Sequence, residues 1–323
     1  MSDPNRLDPE LAAALAAAPG PAIDFAELSH ADLPALRETL GDLAVRRAAA
    51  ARAAAPRVAV EDGRTPDGLR LRIYRPADRP EPLPGLCWFH GGGMIVGTPE
   101  GDEAMMLRIA AEAGLAVVSV DYRLAPEHPH PAPVTDCHAG LLWTAEHGAA
   151  LGIDTDRLAV GGSSAGGGLA AATALLVRDR GGPDLALQVL LYPMLDDRCA
   201  SPSSLEFTDT PVWNLAASRF GWSALLGGSA GSGGVSRYAA PARAADLSGL
   251  PPTYLTVGEI EPFRDECLAF GHRLVQAGVP TEFHLYRGAF HRFDVLAPDA
   301  AVSRRAQAEL VQVLSRALQA KEA

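Results

Sequence analysis

Lysine is almost absent from this sequence of 323 residues, in which Lys321 is the only one. Nearly all positive charge is carried by arginine, so the chain lacks an interior amine that could form a Schiff base with a carbonyl substrate. A phosphate-binding loop of the GK[ST] type and a Ser–Lys catalytic dyad both require a lysine as well. The scarcity of lysine therefore excludes several classes of enzyme before any motif is considered.

Cysteine is also scarce, and its spacing does not suggest a metal site. The chain has four cysteines, none in a CxxC pair or in the Cys/His spacing of a zinc site. Few, scattered cysteines in a long chain are typical of buried free thiols in a reducing compartment. The short apolar run at Leu11–Ala18 has acidic neighbours, unlike a secretory signal, and no segment is long enough to span a membrane. We therefore predict a cytoplasmic protein without a membrane partner.

The charge balance also limits the possible partners. The chain has 28 Lys and Arg residues and 39 Asp and Glu residues, which gives a net charge of −11. A negative field of this size repels phosphate backbones and disfavours nucleic-acid binding. The hydrophobic fraction of 48% is that of a folded globular protein, and the length suits two domains or one large α/β domain.

Short apolar runs alternate with amphipathic segments through most of the chain. Continuous apolar runs predict strands buried on both faces, at Leu86–Phe89, Ala116–Val120, Leu158–Val160, Leu187–Tyr192 and Tyr254–Val257, with a further strand at Phe283–Tyr286. Helical spacing predicts helices at Glu103–Ala113, Val134–Ala150, Ala165–Arg180, Arg264–Gln276 and Val302–Leu318. This alternation predicts an α/β fold with a mostly parallel sheet.

Three segments lie outside this alternation. Two helices, Leu7–Ala18 and Leu33 to about Ala55, precede the first strand, and Pro19-Gly20 ends the first helix. Leu69–Tyr74 alternates apolar and basic residues, which predicts a half-solvated antiparallel strand. Asp197–Arg243 is rich in Ser, Gly and Pro with embedded aromatics, and fits either a lid over a binding site or a surface excursion.

The sequence Gly162-Ser163-Ser164-Ala165-Gly166 lies between a predicted strand and a predicted helix. In this context the G-x-S-x-G pattern forms a nucleophile elbow, a sharp turn that exposes its serine. The turn needs small neighbours, and the following helix N-terminus favours developing negative charge. The pattern indicates Ser164 as a nucleophile; the alternative is a glycine-rich turn carrying a surface serine.

A second glycine-rich motif, His90-Gly91-Gly92-Gly93, follows the predicted strand Leu86–Phe89. Three glycines leave their backbone N–H groups uncovered, as an oxyanion hole requires. A tight turn is the alternative, although one glycine normally suffices for it. We expect His90 to hold this loop by hydrogen bonds and not to act as a base.

If Ser164 is a nucleophile, it needs a general base and an acid that orients the base. In the α/β-hydrolase fold these residues follow along the chain in the order Ser, acid, His. Among nine histidines, His291 follows a predicted strand in a loop and comes after both the serine and an acidic cluster. The cluster follows the strand Tyr254–Val257 and consists of Glu259, Glu261, Asp265 and Glu266. These acids could stabilise the N-terminus of the next helix, or one of them could orient His291.

Several separated motifs occurring in order resemble the hormone-sensitive-lipase-like branch of the α/β-hydrolases. The resemblance runs from about residue 58 to the C-terminus, and its motifs are His90-Gly91-Gly92-Gly93, Asp121-Tyr122-Arg123-Leu124-Ala125-Pro126-Glu127, Gly162-Ser163-Ser164-Ala165-Gly166-Gly167, Glu261-Pro262-Phe263-Arg264-Asp265-Glu266 and the loop around His291. It implies an α/β-hydrolase fold with a helical cap.

The resemblance also implies a role for each matched residue. The family nucleophile falls on Ser164, its base on His291 and its acid on Glu261, with Asp265 as the alternative acid. The oxyanion donors fall on the backbone N–H groups of Gly91, Gly92 and Ala165.

At three positions the sequence departs from the usual family pattern. Glu261 stands where Asp is usual, Ser163 stands where Asp or Thr is frequent, and Met94 stands where an aromatic residue is frequent. The triad tolerates Asp or Glu in this fold, and we expect Met94 to widen or soften the acyl pocket.

These observations lead to a prediction of domains and activity. We predict a helical cap segment over residues 1–55 and an α/β-hydrolase catalytic domain over residues 56–323, with the insert 197–243 as a candidate second part of the cap. The expected activity is that of a serine carboxylesterase acting on short- to medium-chain acyl esters, with a small-molecule ester as partner and without a metal or organic cofactor.

Three further possibilities remain at this point. The same triad could act on a lactone or an amide, and a small-molecule binding protein could use a hydrolase scaffold. Dimers are common in the family, so a homodimer is compatible with the resemblance, but the sequence itself carries no signature of self-association.

Overall fold

The structure, a computed structural model, describes residues 6–17 and 23–318. The strands are β1 Val58–Arg64, β2 Arg70–Pro76, β3 Leu83–Phe89, β4 Ala116–Val120, β5 Ile153–Ser163, β6 Leu185–Leu191, β7 Thr253–Ile260 and β8 Thr281–Phe290. The α-helices are α1 Pro9–Ala17, α2 Leu33–Ala54, α3 Glu103–Arg108, α4 Ala132–His147, α5 Ala165–Arg180, α6 Pro202–Glu206, α7 Leu215–Leu226, α8 Arg264–Gln276, α9 Phe293–Leu296 and α10 Ala301–Ala317. Single 3₁₀ or π turns lie at His30–Asp32, Pro99–Asp102, Ile109–Ala113, Gly148–Leu151, Gly227–Ser229 and Pro241–Arg243.

All eight strands form one sheet in the order β1-β2-β4-β3-β5-β6-β7-β8. Strands β1 and β2 are antiparallel to their neighbours, whereas β3 to β8 run parallel. The predicted apolar runs are the buried centres of the parallel strands, because helices cover both faces of such a sheet. The predicted mostly parallel α/β fold is confirmed.

Strand β2 is less solvated than its alternation of apolar and basic residues predicts. Arg72 is only 4% exposed, and its Nε donates to Glu103 Oε2 over 2.8 Å. The hydroxyl of Tyr74 donates to the same carboxylate over 3.2 Å. The prediction of a half-solvated strand is wrong here, because α3 supplies a buried carboxylate that pairs with the guanidinium.

Helices α5 and α8 have the predicted bounds, whereas two other predicted helices end early. The segment 103–113 forms α3 and then one π turn, which ends at Gly114 in the left-handed conformation (φ +69°). The segment 134–150 forms α4 and then a 3₁₀ turn that ends at Gly152 (φ +72°). Glycine adopts this conformation without the strain that other residues would meet, so it terminates both segments.

The first helix packs against the chain near its other end. Leu11 lies in a buried cluster with Phe290 and Phe293, and the amide of Asp8 donates to Gly288 O over 3.0 Å. Glu10 Oε2 accepts from the amide of Ala301, a residue 291 positions away, over 2.7 Å. Helix α1 begins at residue 9, two residues later than predicted, and the predicted stop at Pro19-Gly20 lies outside the described residues. This N-terminal segment thus packs against the end of β8 and the helices that follow it.

The segment that precedes α2 meets the insert 197–243 beside the carboxyl ends of the strands. Helix α2 packs against α3, and the insert contains α6 and α7 but no strand. Phe25 places its ring 5.2 Å from that of Trp213 and 6.1 Å from that of Phe220. The residues just before α2 are therefore in contact with the insert.

Two further expectations concern cysteine and the membrane. Cys87, Cys137, Cys199 and Cys267 are all buried free thiols, as predicted. Within residues 6–17 and 23–318, no helix combines the length and apolar character needed to cross a bilayer.

Candidate active site

Ser164 lies at a sharp turn between the end of β5 and the start of α5. Its backbone has φ +57° and ψ −119°, a region in which a residue with a side chain is strained. The strain is held by hydrogen bonds, because its amide donates to Leu191 O over 2.8 Å and its carbonyl accepts from Met194 N over 3.0 Å. The strand–turn–helix arrangement predicted from the G-x-S-x-G pattern is present.

The two glycines of this turn have no room for a side chain. A Cβ on Gly162 would lie 2.2 Å from the carbonyl oxygen of Gly166. A Cβ on Gly166 would lie 2.0 Å from the carbonyl oxygen of Phe89. Only glycine allows the turn, the helix and β3 to approach this closely.

His291 and Glu261 form a hydrogen-bonded row with Ser164. His291 Nε2 lies 2.9 Å from Ser164 Oγ, and His291 Nδ1 lies 2.5 Å from Glu261 Oε2. Glu261 is fully buried, and its other oxygen, Oε1, accepts from the amide of Gly258 over 2.7 Å. A carboxylate bound in this way fixes both the orientation and the tautomer of the imidazole.

The other acids of the cluster have different partners. Asp265 Oδ2 accepts from the amide of Ser203 over 2.8 Å, and Oδ1 accepts from Arg264 Nε. Glu259 accepts from the amide of Gly288, and Glu266 accepts from the amide of Leu195. Asp265, the alternative acid suggested by the sequence, therefore anchors α8 to the insert and does not contact His291.

Three aromatic rings surround the imidazole of His291. Tyr192 and Phe263 present ring edges with centroids 4.9 and 5.3 Å away, and Trp213 lies tilted at 6.3 Å. These contacts restrict rotation of the ring and exclude bulk water from it. The insert thus contributes one wall of the site through Trp213.

The loop after β3 carries Gly91 and Gly92 to the same place. The ring of His90 stacks on Tyr122 with centroids 4.2 Å apart, and its Nδ1 lies 2.9 Å from Gly91 O. Burial lowers the pKa of His90, which favours the neutral ring. His90 therefore holds the loop, as expected. Gly92 has φ +128°, and a Cβ there would lie 2.0 Å from Val96 O, so this position also requires glycine.

Ala165, the third expected oxyanion donor, is the first residue of α5. Amides in the first turn of a helix have no acceptor within that helix, so the N–H of Ala165 is available beside Ser164. The structure therefore brings Ser164, His291, Glu261 and the backbone of both motifs together at the carboxyl edge of the sheet.

A cavity of about 400 Å³ opens onto Ser164 and His291. This volume falls in the range of small-molecule sites. Its walls come from α2 and the segment before it, from the loop after β3, from the insert and from α9; they include Phe25, Leu40, Ala44, Gly91, Gly92, Val212, Trp213 and Leu296. Met94, expected at the acyl pocket, is 1% exposed and belongs to the core, and it is not among the lining residues.

Asp102 is the centre of a buried hydrogen-bond network beside the site that the sequence does not indicate. Asp102 accepts from Trp88 Nε1 over 3.0 Å, from Ser163 Oγ over 3.2 Å and from Arg292 Nη2 over 2.8 Å. Asp102 thus links Ser163, the neighbour of Ser164, to Arg292, the neighbour of His291. Its sequence position, before an amphipathic helix, indicates only an ordinary acidic helix start, so only the tertiary contacts identify it.

Asp294 is a second buried acid near the site. Its Oδ1 accepts from the hydroxyl of Tyr192 over 3.0 Å. Burial raises its pKa to about 6, although Tyr192 and Arg292 oppose the shift. Above that pH the folded protein holds a poorly solvated carboxylate.

This carboxylate predicts a pH-dependent effect of Asp294→Asn on stability. An unfolded aspartate titrates near pH 4, so on acidification through about pH 6 the folded state takes up a proton before the unfolded state does. The wild type therefore gains stability on acidification, by about 2 kcal/mol between pH 8 and about pH 4.5. We expect Asp294→Asn to stabilise the protein relative to wild type more at pH 8 than at about pH 4.5. The difference between the two pH values in this change of the unfolding free energy, measured by urea unfolding, should be about 2 kcal/mol. An equal effect at both pH values would contradict this assignment.

Comparisons with known proteins agree with this fold and geometry. A family described by the alpha/beta hydrolase fold matches residues 86–295. Esterase LipI of Mycobacterium tuberculosis (strain ATCC 25618 / H37Rv) is 39% identical over 227 residues, which cover 70% of this chain and 71% of LipI. Carboxylesterase NlhH of the same strain is 35% identical over 268 residues, which cover 79% of this chain and 81% of NlhH.

Among solved structures, a bacterial heroin esterase superposes with a TM-score of 0.91 at 43% identity. The match covers 98% of this chain and 99% of that one. These three relatives are named as esterases, which supports the prediction of a carboxylic-ester hydrolase. The family match, the sheet order and the turn at Ser164 lead to one conclusion: the chain belongs to the hormone-sensitive-lipase-like branch of the α/β-hydrolase family.

Proposed function

We propose that this carboxylic-ester hydrolase is a serine esterase that works through an acyl-enzyme intermediate. The observation that carries the proposal is the buried row Ser164–His291–Glu261, with 2.9 and 2.5 Å between successive partners. Nucleophile, base and orienting acid in hydrogen-bond reach of one another are what this chemistry requires.

In the acylation step, Ser164 Oγ attacks the ester carbonyl while His291 Nε2 takes its proton. Glu261, hydrogen-bonded to Nδ1, stabilises the imidazolium that forms. The tetrahedral intermediate collapses when the C–O bond to the leaving group breaks and His291 returns the proton to the departing alcohol. The acyl group is then esterified to Ser164.

Deacylation repeats these steps with water as the nucleophile. His291 removes a proton from water as it attacks the acyl carbon, and the proton passes to Ser164 Oγ as the acid leaves. We assign oxyanion stabilisation in both steps to the amides of Gly91, Gly92 and Ala165, aided by the N-terminus of α5. This sequence of steps uses no metal or organic cofactor.

The cavity supports short- to medium-chain acyl esters as substrates. Its volume of about 400 Å³ and its mainly apolar lining suit a small uncharged ester better than a long chain. A lactone or an amide would meet the same residues, whereas a binding protein on this scaffold would not need the complete row.

We place the enzyme in the cytoplasm, since its four cysteines are buried free thiols. The homodimer stays a prediction.

A series of p-nitrophenyl esters tests the proposed substrate class. We expect kcat/KM to be highest for acetate to butyrate and to fall by on the order of tenfold or more for dodecanoate, because the cavity wall excludes the longer chain. A pre-steady-state burst of p-nitrophenol would report the acyl-enzyme when deacylation is slower. A preference for dodecanoate over butyrate would contradict the substrate proposal.

We also propose that α2, together with the insert, acts as the cap. Arg37 on α2 attaches this helix to the catalytic domain: its Nε donates to Ile95 O over 2.7 Å, and its Nη2 donates to Ala125 O over 2.7 Å. Both guanidinium Nη atoms also bind the carboxylate of Glu127 at 2.8 Å. Arg37 itself lines the cavity.

Replacing Arg37 should therefore affect activity through the cap. We expect Arg37→Ala to lower kcat/KM for p-nitrophenyl butyrate by up to about a hundredfold, since substrate-positioning walls shift when the attachment is lost. Arg46→Ala is the matched control, because Arg46 is exposed on the same helix and makes no ion pair or side-chain hydrogen bond within the described residues. Equal kinetics in both variants would argue against α2 as the cap.

A further inference from the structure

A second cavity lies beneath the active site, between the sheet and helices α3 and α10. Its volume is about 230 Å³, and its walls include Leu191, Tyr254, Tyr286, Phe293, Ala306 and Leu310. None of Ser164, His291 and Glu261 lines it, and it shares only Gly101 and Val295 with the lining of the active-site cavity. It is therefore a separate space, in contact with the site through Tyr192, whose ring packs on His291.

The size and lining of this cavity favour an organic molecule over water. Its volume equals that of about eight water molecules in the liquid, each of which would seek about three hydrogen bonds. The walls are mostly apolar and aromatic, so they offer too few partners for that many waters. An apolar cavity of about 150 Å³ binds benzene, so this one accommodates a single substituted ring.

Three polar groups of the wall have unused hydrogen-bonding capacity. Thr256 is 4% exposed, and its hydroxyl has no hydrogen-bond partner among the described residues. Gln307 donates through Nε2 to Asp294 O over 2.7 Å, which fixes the amide, while its buried Oε1 has no partner. The only side chain that donates to Asp294 among the described residues is Tyr192, which binds Oδ1.

The unused groups define the chemistry of the ligand. The oxygens of Gln307 and Asp294 are acceptors, so a matching ligand carries a hydrogen-bond donor. The hydroxyl of Thr256 can accept or donate. Arg292 acts electrostatically on Asp294, and Arg108 also lines the cavity, so a cationic ligand is disfavoured. The remaining acid of the wall, Asp102, already binds Arg292, Trp88 and Ser163.

We propose that this cavity is a binding site for a neutral one-ring hydroxyl compound, a phenol or a small aromatic alcohol. Its hydroxyl donates to Gln307 Oε1 or Asp294 and accepts from Thr256, and its ring packs among Tyr254, Tyr286 and Phe293. Such compounds are the alcohols that aryl esters release, and only this link to the product rests on the proposed function.

Equilibrium binding of 4-fluorophenol, followed by ¹⁹F NMR, tests the site. We expect the wild type to bind it with a Kd on the order of a millimolar, as suits a ligand of this size. Ala306→Phe fills the second cavity without touching the active-site cavity and should abolish this binding, while the variant keeps its hydrolysis of p-nitrophenyl acetate. Binding that survives in a folded Ala306→Phe variant overturns the proposal, as does no binding to the wild type.

A second variant and two further probes test the recognition itself. Thr256→Val keeps the shape but removes the hydroxyl, and should weaken binding about fivefold; it also serves if Ala306→Phe fails to fold. Fluorotoluene should bind more weakly than 4-fluorophenol, and fluorobenzylammonium more weakly still. Equal affinity for fluorotoluene, or tighter binding of the ammonium, overturns the assignment. Because no turnover is needed, this result can be read whether or not the esterase proposal holds.

Discussion

Ser164→Ala is expected to reduce kcat for p-nitrophenyl acetate by about 10⁴- to 10⁶-fold. In the proposed mechanism, loss of Oγ prevents formation of the acyl-enzyme, and the oxyanion donors can then only assist direct attack by water. The turn itself should persist, because its strained backbone is held by main-chain hydrogen bonds to Leu191 and Met194. Initial rates and a circular dichroism spectrum would separate loss of chemistry from loss of fold.

Ser163→Ala is the matched control for this experiment. Ser163 is the neighbouring buried serine, but its Oγ donates to Asp102 and not to His291. We expect its removal to cost less than about tenfold in kcat, the equivalent of one ordinary hydrogen bond. Undiminished turnover in Ser164→Ala, or an equal loss in the two variants, would refute Ser164 as the nucleophile.

Glu261→Gln should lower kcat by about 10⁴-fold. Glutamine fills the same space, yet its amide gives no negative charge to stabilise the imidazolium and can present an N–H to Nδ1. His291 would then adopt the wrong tautomer, with a proton on the nitrogen that faces Ser164. The measurement is kcat for p-nitrophenyl acetate, together with the thermal midpoint of each variant.

Asp265→Asn provides the comparison for that result. The asparagine side-chain oxygen can still accept from the amide of Ser203, and the site lies away from His291. We expect a change in kcat of less than about tenfold and a small loss of stability from the weakened contact with Arg264. A reversed ranking of the two variants would transfer the role of the acid to Asp265.

The parallel strands and the two glycine motifs could be predicted from the sequence because their determinants are local. A strand buried on both faces must be apolar throughout, so the run Ala116–Val120 has the bounds of β4. The turn at Ser164 needs glycine at residues 162 and 166 because backbone atoms of the adjacent segments pass within 2.2 Å of where a Cβ would lie. Local requirements of this kind leave a mark on the sequence itself.

Features that depend on distant segments could not be predicted in this way. The burial of Arg72 is due to a carboxylate on α3, and Asp102 connects residues of three separate loops and strands. The choice between Glu261 and Asp265 was open because both follow the same strand within five residues. Side-chain geometry distinguishes them, since only Glu261 lies in the row with His291.

The contact of α1 with the end of β8, α9 and α10 has a consequence for how the protein is made. Residues joined across 291 positions, such as Glu10 and Ala301, emerge from the ribosome far apart in time. Helix α1 therefore lacks its partners Phe290 and Phe293 until synthesis has passed residue 293. During that interval the nascent chain has Ser164 but neither His291 nor the cluster that buries Leu11 of α1. The proposed catalytic row and the seat of α1 therefore become complete only after the same stretch of chain has been made.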